Sequence, residues 1–216
     1  MWGSMVVLIP RTGVTREATA ALARALGGVR LVVVERSLSA DTDWRHAVLD
    51  QRSAAAEAEA IERQLAAAPP ADEVVVVGQA DGAQVAVELA RRLEGSGERD
   101  PGPVHPGPVH PGLGDLGPGA VRVSAVVVAG ASPSRADEAL KAEPIATPLH
   151  VWAGVDDPLA PAGPAMLGWR AWTDAATTFR SFAGADDFLL IHVHEVARRL
   201  RRLLPARNAS EVLDVS

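Results

Sequence analysis

Residues 73–93, EVVVVGQADGAQVAVELARRL, join an apolar strand to a helix through a turn that contains two glycines. The run Glu73–Val77 predicts a buried strand, because a strand that is apolar throughout is typical of a parallel sheet covered on both faces. The segment Gly82–Leu93 predicts the helix that follows. Strand, turn and helix in this order form the repeating unit of an α/β fold.

The same alternation continues on both sides of this unit. Further strands are predicted at Met5–Ile9, Arg30–Glu35, Val121–Ala129, Leu149–Ala153 and Phe179–Phe182. Further helices are predicted at Thr15–Leu26, Ala47–Ala68 and Phe188–Leu204. Apolar strands that alternate with helices predict an α/β fold, in which a mostly parallel sheet carries helices on both faces.

The chain is predicted to form one domain. Residues 1–205 make up this α/β domain, and residues 206–216 are a polar C-terminal tail. Residues 101–119 form a surface loop rich in Pro and Gly, which begins with a tandem PGPVH repeat. The repeat carries His105 and His110, but no carboxylate or further ligand lies nearby in the sequence. We therefore predict no metal site.

The composition narrows the possible classes of function. The 216 residues include no cysteine, which excludes disulfides and thiolate chemistry. The net charge is −6, and the arginine run at residues 198–202 lies near the end of a predicted helix, where cations suit the helix dipole. Nucleic acid and membranes are therefore not expected partners. Without a signal peptide, an apolar run of ~18 residues or a cofactor motif, the sequence predicts a cytoplasmic protein with no cofactor.

The turn Gly78–Ala83, GQADGA, has the layout of a nucleophile elbow, G-x-S-x-G. Glycines flank the central position of an elbow because the turn is strained and its neighbours press close. The central side chain then faces the helix N-terminus, where backbone amides stabilise an oxyanion. Here the central residue is Ala80, whose methyl group cannot attack a carbonyl. The alternative is a plain strand-to-helix turn, since paired glycines are common at strand ends.

Several segments resemble type II thioesterases, which are α/β-hydrolases. Residues 6–26, VVLIPRTGVTREATAALARAL, resemble the opening strand, turn and helix of that family, and residues 82–97 resemble the helix after the nucleophile. Residues 148–159, PLHVWAGVDDPL, are similar to the strand and turn that carry the catalytic acid. Trp169 to Thr173 resembles a short helix ending in Trp-x-x-x-Thr, and residues 182–189, FAGADDFL, resemble the family's F-x-G-G-H-F-F-L segment.

The resemblance implies roles for particular positions. Asp157 falls on the acid of the Ser-His-Asp triad, Ala80 on the serine and Asp186 on the histidine. The loop at Arg11 and Thr12, together with Asp81 after the elbow, corresponds to the oxyanion hole.

Type II thioesterases also carry a helical lid, and the corresponding segment of this chain is too short to form it. The lid lies between the fourth and fifth strands, where only residues 130–147 are present. The expected fold is therefore α/β-hydrolase-like without a lid domain. Since the members of a triad act as a unit, ordinary hydrolysis is not expected after two of them are replaced.

Three functions remain open at the level of the sequence. The first is a non-hydrolytic accessory protein that binds a small acyl ligand, an acyl carrier protein or an assembly-line synthase of polyketide or non-ribosomal peptide biosynthesis. The second is an enzyme of changed chemistry, such as cyclisation or dehydration, in which Asp157, Asp186 and Asp81 serve as acid and base. The third is residual ester or thioester hydrolysis. These aspartates could instead have no catalytic role. Asp157 and Asp186 would then be solvated loop residues, and Asp81 would interact favourably with the dipole at the N-terminus of a helix.

Two histidines follow in the predicted last helix. His192 and His194 are two residues apart and point to nearly opposite faces of a regular helix. They therefore cannot both face one site, and we expect surface positions for them. The buried stripe of this helix is predicted at Leu189, Val193, Val196 and Leu200.

Overall fold

A computed structural model describes residues 3–11, 14, 16–34, 51–69, 71–97, 121–132, 143–158, 163–185 and 187–205. The described strands are β1 (Gly3–Ile9), β2 (Arg30–Val33), β3 (Ala71–Gln79), β4 (Arg122–Ala129), β5 (Leu149–Gly154) and β6 (Thr177–Phe182). The described helices are α1 (Arg16–Leu26), α2 (Gln51–Ala66), α3 (Gly82–Gly97), a 3₁₀ helix (Pro164–Trp172), α4 (Phe188–Ile191) and α5 (Val193–Leu203).

The six strands form one sheet in the order β2-β1-β3-β4-β5-β6. Every neighbouring pair is parallel. The predicted α/β fold with a parallel sheet is thus confirmed. The order reverses between β1 and β3, and such a reversal opens a crevice at the carboxyl ends of the strands, where α/β proteins bind their ligands.

Side chains that alternate along each strand build two hydrophobic layers. In β3, Val74 and Val76 pack with the layer that contains α2 and α3, whereas Val75 and Val77 pack with the layer that contains α1 and α5. All four valines are fully buried. This explains why the strand is apolar at every position, and it confirms the expectation of helices on both faces.

Helix α3 approaches the sheet very closely at two glycines. A Cβ atom on Gly78 would lie 2.4 Å from the carbonyl oxygen of Gly82 and 2.7 Å from the Cβ of Ala86. A Cβ on Gly82 would lie 2.5 Å from the carbonyl oxygen of Ile9, the last residue of β1. The absence of side chains at these two positions therefore sets the distance between α3 and the ends of β1 and β3.

The last predicted helix is not continuous, so this prediction was wrong in one detail. His192 has φ −98° and ψ 35°, outside the helical region, and it separates α4 from α5. Its ring Nε2 lies 2.8 Å from the carbonyl oxygen of Ala183, an atom that can only accept a hydrogen bond. The apolar spacing still runs across the break, since Leu189, Val196 and Leu200 are all buried. Periodicity alone therefore did not reveal it.

Other predictions differ only at element ends or lie outside the described residues. Strands β1, β3, β5 and β6 are longer than predicted by one to four residues, and α3 extends to Gly97. Outside the described part of the chain lie Thr15, with which the first predicted helix begins, the loop at residues 101–119 and the tail at residues 206–216. Residues 133–142 also lie outside the described residues. They make up most of the segment 130–147, which was expected to be too short for a lid.

A buried hydroxyl holds the 3₁₀ helix to the chain before β5. The Oγ1 atom of Thr173 lies 2.8 Å from the carbonyl oxygen of Thr147 and 3.0 Å from that of Ile145. It also accepts a hydrogen bond from the backbone amide of Ala175 at 2.9 Å. The threonine of the Trp-x-x-x-Thr segment is thus a structural residue.

We predict that Gly82→Ala destabilises the protein by about 1–3 kcal/mol, the usual range for overpacking. The added methyl would meet the backbone oxygen of Ile9, which cannot move without distorting β1. Gly95→Ala is the matched control, because it lies in the same helix with no atom within 4 Å of the added Cβ. It should stabilise the helix by about 0.5–1 kcal/mol. The free energy of unfolding of both variants is measured in urea. Equal changes in this free energy would contradict the prediction.

We also predict that Thr173→Val lowers the free energy of unfolding by about 1–3 kcal/mol, because it leaves buried polar groups without their partner. Thr177→Val makes the same chemical change in β6 at a half-buried position. It should change the stability by less than about 0.5 kcal/mol. Thermal or urea unfolding monitored by circular dichroism measures both, and a neutral Thr173→Val would show that the hydroxyl contributes nothing.

Candidate functional site

Ala80 lies at the tip of the turn between β3 and α3. Its φ is +49°, and among the described residues no other non-glycine residue has a positive φ. Its amide donates to the carbonyl oxygen of Ala129 at 2.8 Å, and its own carbonyl accepts from the amide of Ala83 at 3.1 Å. A non-glycine residue in such a conformation costs roughly 1–3 kcal/mol and persists only where the surroundings hold it in place. The turn is therefore strained as well as tight.

The carboxyl ends of the strands meet at one edge of the sheet, beside this turn. In the ladder, Ile9 pairs with Gly78, and Gln79 pairs with Ala129. Farther along, Ala129 pairs with Trp152. The loops that follow β1, β3, β4, β5 and β6 consequently all begin at the same level, which is the edge where the crevice between β1 and β3 opens.

Of the residues predicted for the oxyanion hole, the structure describes Arg11 and Asp81, and both lie at this edge. Arg11 follows β1, and its carbonyl accepts from the amide of Val14 at 3.4 Å to form a turn. Asp81 lies directly between Ala80 and the first residue of α3, and its side chain is half-buried. Thr12 lies outside the described residues. Since Gly82 touches the end of β1, the loop at Arg11 starts beside the amino end of α3.

Asp157 is buried in the turn after β5. Only 3% of its surface is exposed, and its amide donates to the carbonyl oxygen of Gly154 at 3.3 Å. Carboxylates are rarely buried to this degree unless the surrounding structure provides hydrogen bonds or charge. Its neighbour Asp156 is exposed. The two adjacent aspartates therefore have different environments, as the resemblance implied for a triad acid at position 157.

The turn after β5 is hydrogen bonded to the loop after β6. The amide of Asp156 donates to the carbonyl oxygen of Gly184 at 3.1 Å, and the amide of Gly184 donates back to the Asp156 carboxylate at 3.3 Å. Gly154 has no room for a side chain, since a Cβ there would lie 2.1 Å from the carbonyl oxygen of Ala185. The loop that leads to position 186 is thus fixed against the turn that carries Asp157. Asp186 itself lies outside the described residues.

These loop-fixing residues were not predicted as functional. Gly154, Asp156 and Gly184 all occur within the segments that resemble the family, but the resemblance assigns roles only to positions 157 and 186. Gly184 has φ +94°, a conformation that favours glycine. Their positions in the sequence could have indicated this role. Gly154 directly follows a predicted strand and Gly184 lies in a short loop, and glycine at such places often marks a site where two backbone segments come close together.

Aromatic rings pack against one another at the end of β6, next to the loop that follows this strand. Phe182 stacks on Phe188 with ring centroids 4.8 Å apart, and it also contacts Trp152 at 5.4 Å. The His192 ring is 6.2 Å from Phe182 and bonds to the backbone of Ala183. His192 therefore has a structural role, and His194 is exposed. The exposure of His194 agrees with the surface position expected for it, whereas His192 is half-buried.

The chemistry available at this edge follows from these positions. The tip residue Ala80 offers no nucleophilic atom, and the predicted acids are Asp81, which follows it directly, and the buried Asp157 in the turn after β5. Within the described residues, no three His, Cys, Asp or Glu side chains are grouped so that they could hold a metal ion. No helix in the described part of the chain is both long and apolar enough to cross a membrane.

Comparison with known proteins adds information about the fold. No protein-family model matches the sequence, and no curated protein matches it either. Among solved structures, the chain is similar to RedJ, a thioesterase from the prodiginine biosynthetic pathway of Streptomyces coelicolor. The identity is 17%, with a TM-score of 0.60 over 93% of this chain and 85% of that one.

Two other solved structures are similar over most of their length. The type II thioesterase BorB, from the borrelidin biosynthetic cluster, is 18% identical, with a TM-score of 0.62 over 94% of this chain and 93% of that chain. ClbQ, from the colibactin NRPS/PKS pathway, is 14% identical, with a TM-score of 0.64 over 93% and 96% of the two chains. At these identities the similarity shows the fold, and the six-stranded parallel sheet with its helices matches the α/β-hydrolase fold of these thioesterases.

Proposed function

We propose that this chain is a thioesterase-like accessory protein that binds an acyl group, or the carrier protein that bears it, without hydrolysing the thioester. The proposal places it in polyketide or non-ribosomal peptide biosynthesis. The observation that carries it is Ala80, which stands at the strained tip of an elbow-like turn with φ +49°. The fold of RedJ, BorB and ClbQ supports the proposal, since their names connect them with such pathways.

The proposed protein differs from those thioesterases in that it does not hydrolyse the thioester. In a Ser-His-Asp triad the serine attacks, the histidine carries the proton and the acid orients the histidine. With Ala80 and Asp186 at two of these positions, only the acid Asp157 remains. Loss of triad members costs up to roughly 10⁶-fold in kcat, because they act as a unit. An acyl thioester bound beside Ala80 should therefore persist.

The capacity to bind rests on the backbone around the elbow. The amino end of α3 lies directly after the tip, and helix N-termini present amides and positive potential to an anion or a polarised carbonyl. The close contact of Gly82 with Ile9 brings the loop at Arg11 to the same place. These features do not depend on the side chain at position 80, so the loss of a nucleophile leaves them unchanged.

A second candidate is an enzyme that uses aspartates as acid and base. The hydrogen bonds between the turn of Asp157 and the loop at Gly184 favour it, because they hold the chain just before position 186 near Asp157. Two carboxylates at short distance raise the pKa of one of them, which yields a general acid beside a general base. Asp81 is the third candidate group, and residual hydrolysis of esters or thioesters is the remaining reaction.

We predict that the wild-type protein does not hydrolyse acyl-pantetheine or acyl-carrier-protein thioesters above background, whereas Ala80→Ser/Asp186→His does. Restoring the nucleophile and base should raise the rate by about 100-fold or more, the range for a positioned general base. Thiol release measures both proteins. Ala80→Ser alone is the matched control and should remain near the wild-type rate, because a triad acts as a unit.

The proposed binding needs its own measurement, since a silent enzyme is not evidence of a binding protein. A carrier protein loaded with a non-hydrolysable amide analogue of the acyl thioester should bind saturably in isothermal titration calorimetry. Absence of binding to the loaded carrier and to the acyl-pantetheine analogue would refute the proposal. Turnover by the wild type would instead favour residual hydrolysis.

For the second candidate, we predict that Asp157→Asn and Asp186→Asn each abolish turnover if the aspartates are acid and base, with losses of about 10²–10⁴. Asp156→Asn is the matched control, because it makes the same change at the exposed neighbouring residue. Product formation from a polyketide-like substrate, followed by mass spectrometry, is the measurement. Full activity in the Asp157, Asp186 and Asp81 variants would exclude this candidate.

A further inference from the structure

A groove of about 250 Å³ lies on one face of the sheet, between β5, β6 and the last turns of α5. Its lining includes the side chains of His150, Trp152, Thr178, Arg180, Arg199 and Arg202. His150 lies four residues before Gly154, which corresponds to about 13 Å along a strand. The groove is therefore separate from the loops at the carboxyl ends of the strands.

The groove is positively charged although the chain as a whole has a net charge of −6. Arg199 is paired with Glu195, and its guanidinium lies 6.0 Å from the centre of the Phe182 ring. Arg180 and Arg202 are exposed, and neither has an ion-pair partner within the described part of the chain. One carboxylate thus faces three guanidinium groups, so an excess of positive charge remains.

The arginine run of the last helix divides into two kinds of position. Arg199 and Arg202 line the groove, whereas Arg198 and Arg201 do not. Strand β6 supplies the third cation, Arg180, from a distant part of the sequence. Only part of the arginine run therefore belongs to the groove. That Arg180 lies beside Arg199 and Arg202 could be seen only in the folded structure, because these residues are distant in the sequence.

The rest of the groove is aromatic and weakly polar. The Nδ1 atom of His150 lies 2.6 Å from the Oγ1 of Thr178, its partner in the β5–β6 ladder. Burial lowers the pKa of His150 from its usual value, so its ring is neutral at pH 7. Leu203 adds apolar surface beside it, whereas Trp152 is almost fully buried beneath the groove. Cations at the rim and flat apolar surface within suit a ligand with two chemically different ends.

We propose that this groove binds a small organic anion, in which a phosphate or carboxylate group is attached to a flat apolar body. The anionic group lies between Arg180 and Arg202, since guanidinium groups match the geometry of these oxyanions. The apolar body lies against Leu203 and the ring of His150, which are the partly exposed lining groups. The volume is slightly below that of sites for drug-sized ligands, which fits a small molecule. This proposal is independent of the function proposed for the edge at Ala80.

The test is a calorimetric titration of the full chain with phenyl phosphate, benzoate, inorganic phosphate and benzyl alcohol. We expect saturable binding of phenyl phosphate with one site per chain, and weaker binding of inorganic phosphate and of the neutral alcohol. Benzoate distinguishes a carboxylate from a phosphate ligand. Backbone NMR shifts on addition of phenyl phosphate should concentrate at residues 150–152, 178–180 and 199–203.

Variants locate the binding. Arg202→Gln and Arg180→Gln should each weaken phenyl phosphate binding about tenfold or more, the usual effect of losing a hydrogen bond to a charged group. Arg201→Gln is the matched control, because it removes the same charge from the adjacent exposed residue outside the groove. It should change the affinity by less than about twofold. All three substitutions are at exposed positions, so the fold should tolerate them.

Three outcomes would overturn the proposal. These are no saturable binding of phenyl phosphate or benzoate, equal loss of affinity in the Arg201 and Arg202 variants, and NMR shifts that lie elsewhere. Binding of poly-glutamate without binding of the small anions would also overturn it and identify a surface for an acidic macromolecule.

Discussion

The contact between the amino end of α3 and the carboxyl ends of β1 and β3 is the constraint on which the rest of the structure depends. Gly78 and Gly82 let backbone meet backbone where any side chain would collide. The closeness forces the chain to turn sharply between them, and Ala80 takes the strained conformation that results. It also brings the loop after β1 beside the elbow. Helix packing, backbone strain and the position of the candidate site therefore have one common cause.

The order of elements could be predicted from the sequence because the central strands are apolar on both faces and helices alternate with the strands. The turn after β3 could be predicted for a related reason, since paired glycines directly after a buried strand indicate a tight turn. The glycines alone do not distinguish an elbow from a plain strand-to-helix turn. The break at His192 could not be predicted, because the apolar spacing continues across it and the contact of its ring with Ala183, in the loop after β6, leaves no local pattern. Contacts between separate segments leave little trace in the local pattern of a sequence.

The same distinction applies to the candidate site. The positions of Ala80 and Asp157 follow from local motifs, and the structure places both at the edge where the strands end. The bonding of Asp156 to Gly184 and the lack of space at Gly154 join two turns that are distant in the chain. Sequence reasoning identified the segments but not the contacts that fix them. The fold is shared with thioesterases, and the reaction depends on side chains that a fold does not specify.

The central position of β1 has a consequence for how the chain reaches its native state. Gly3 and Ser4 pair with Ala71 and Glu73, so this early segment must wait for a strand that is synthesised much later. Pairings between distant segments are slow to form, and an apolar strand without its partners is prone to aggregate. Unlike β2 and β6, β1 has neighbours on both sides. Loss of β1 would therefore separate β2 from β3 and divide the sheet, whereas loss of an edge strand would only make it narrower.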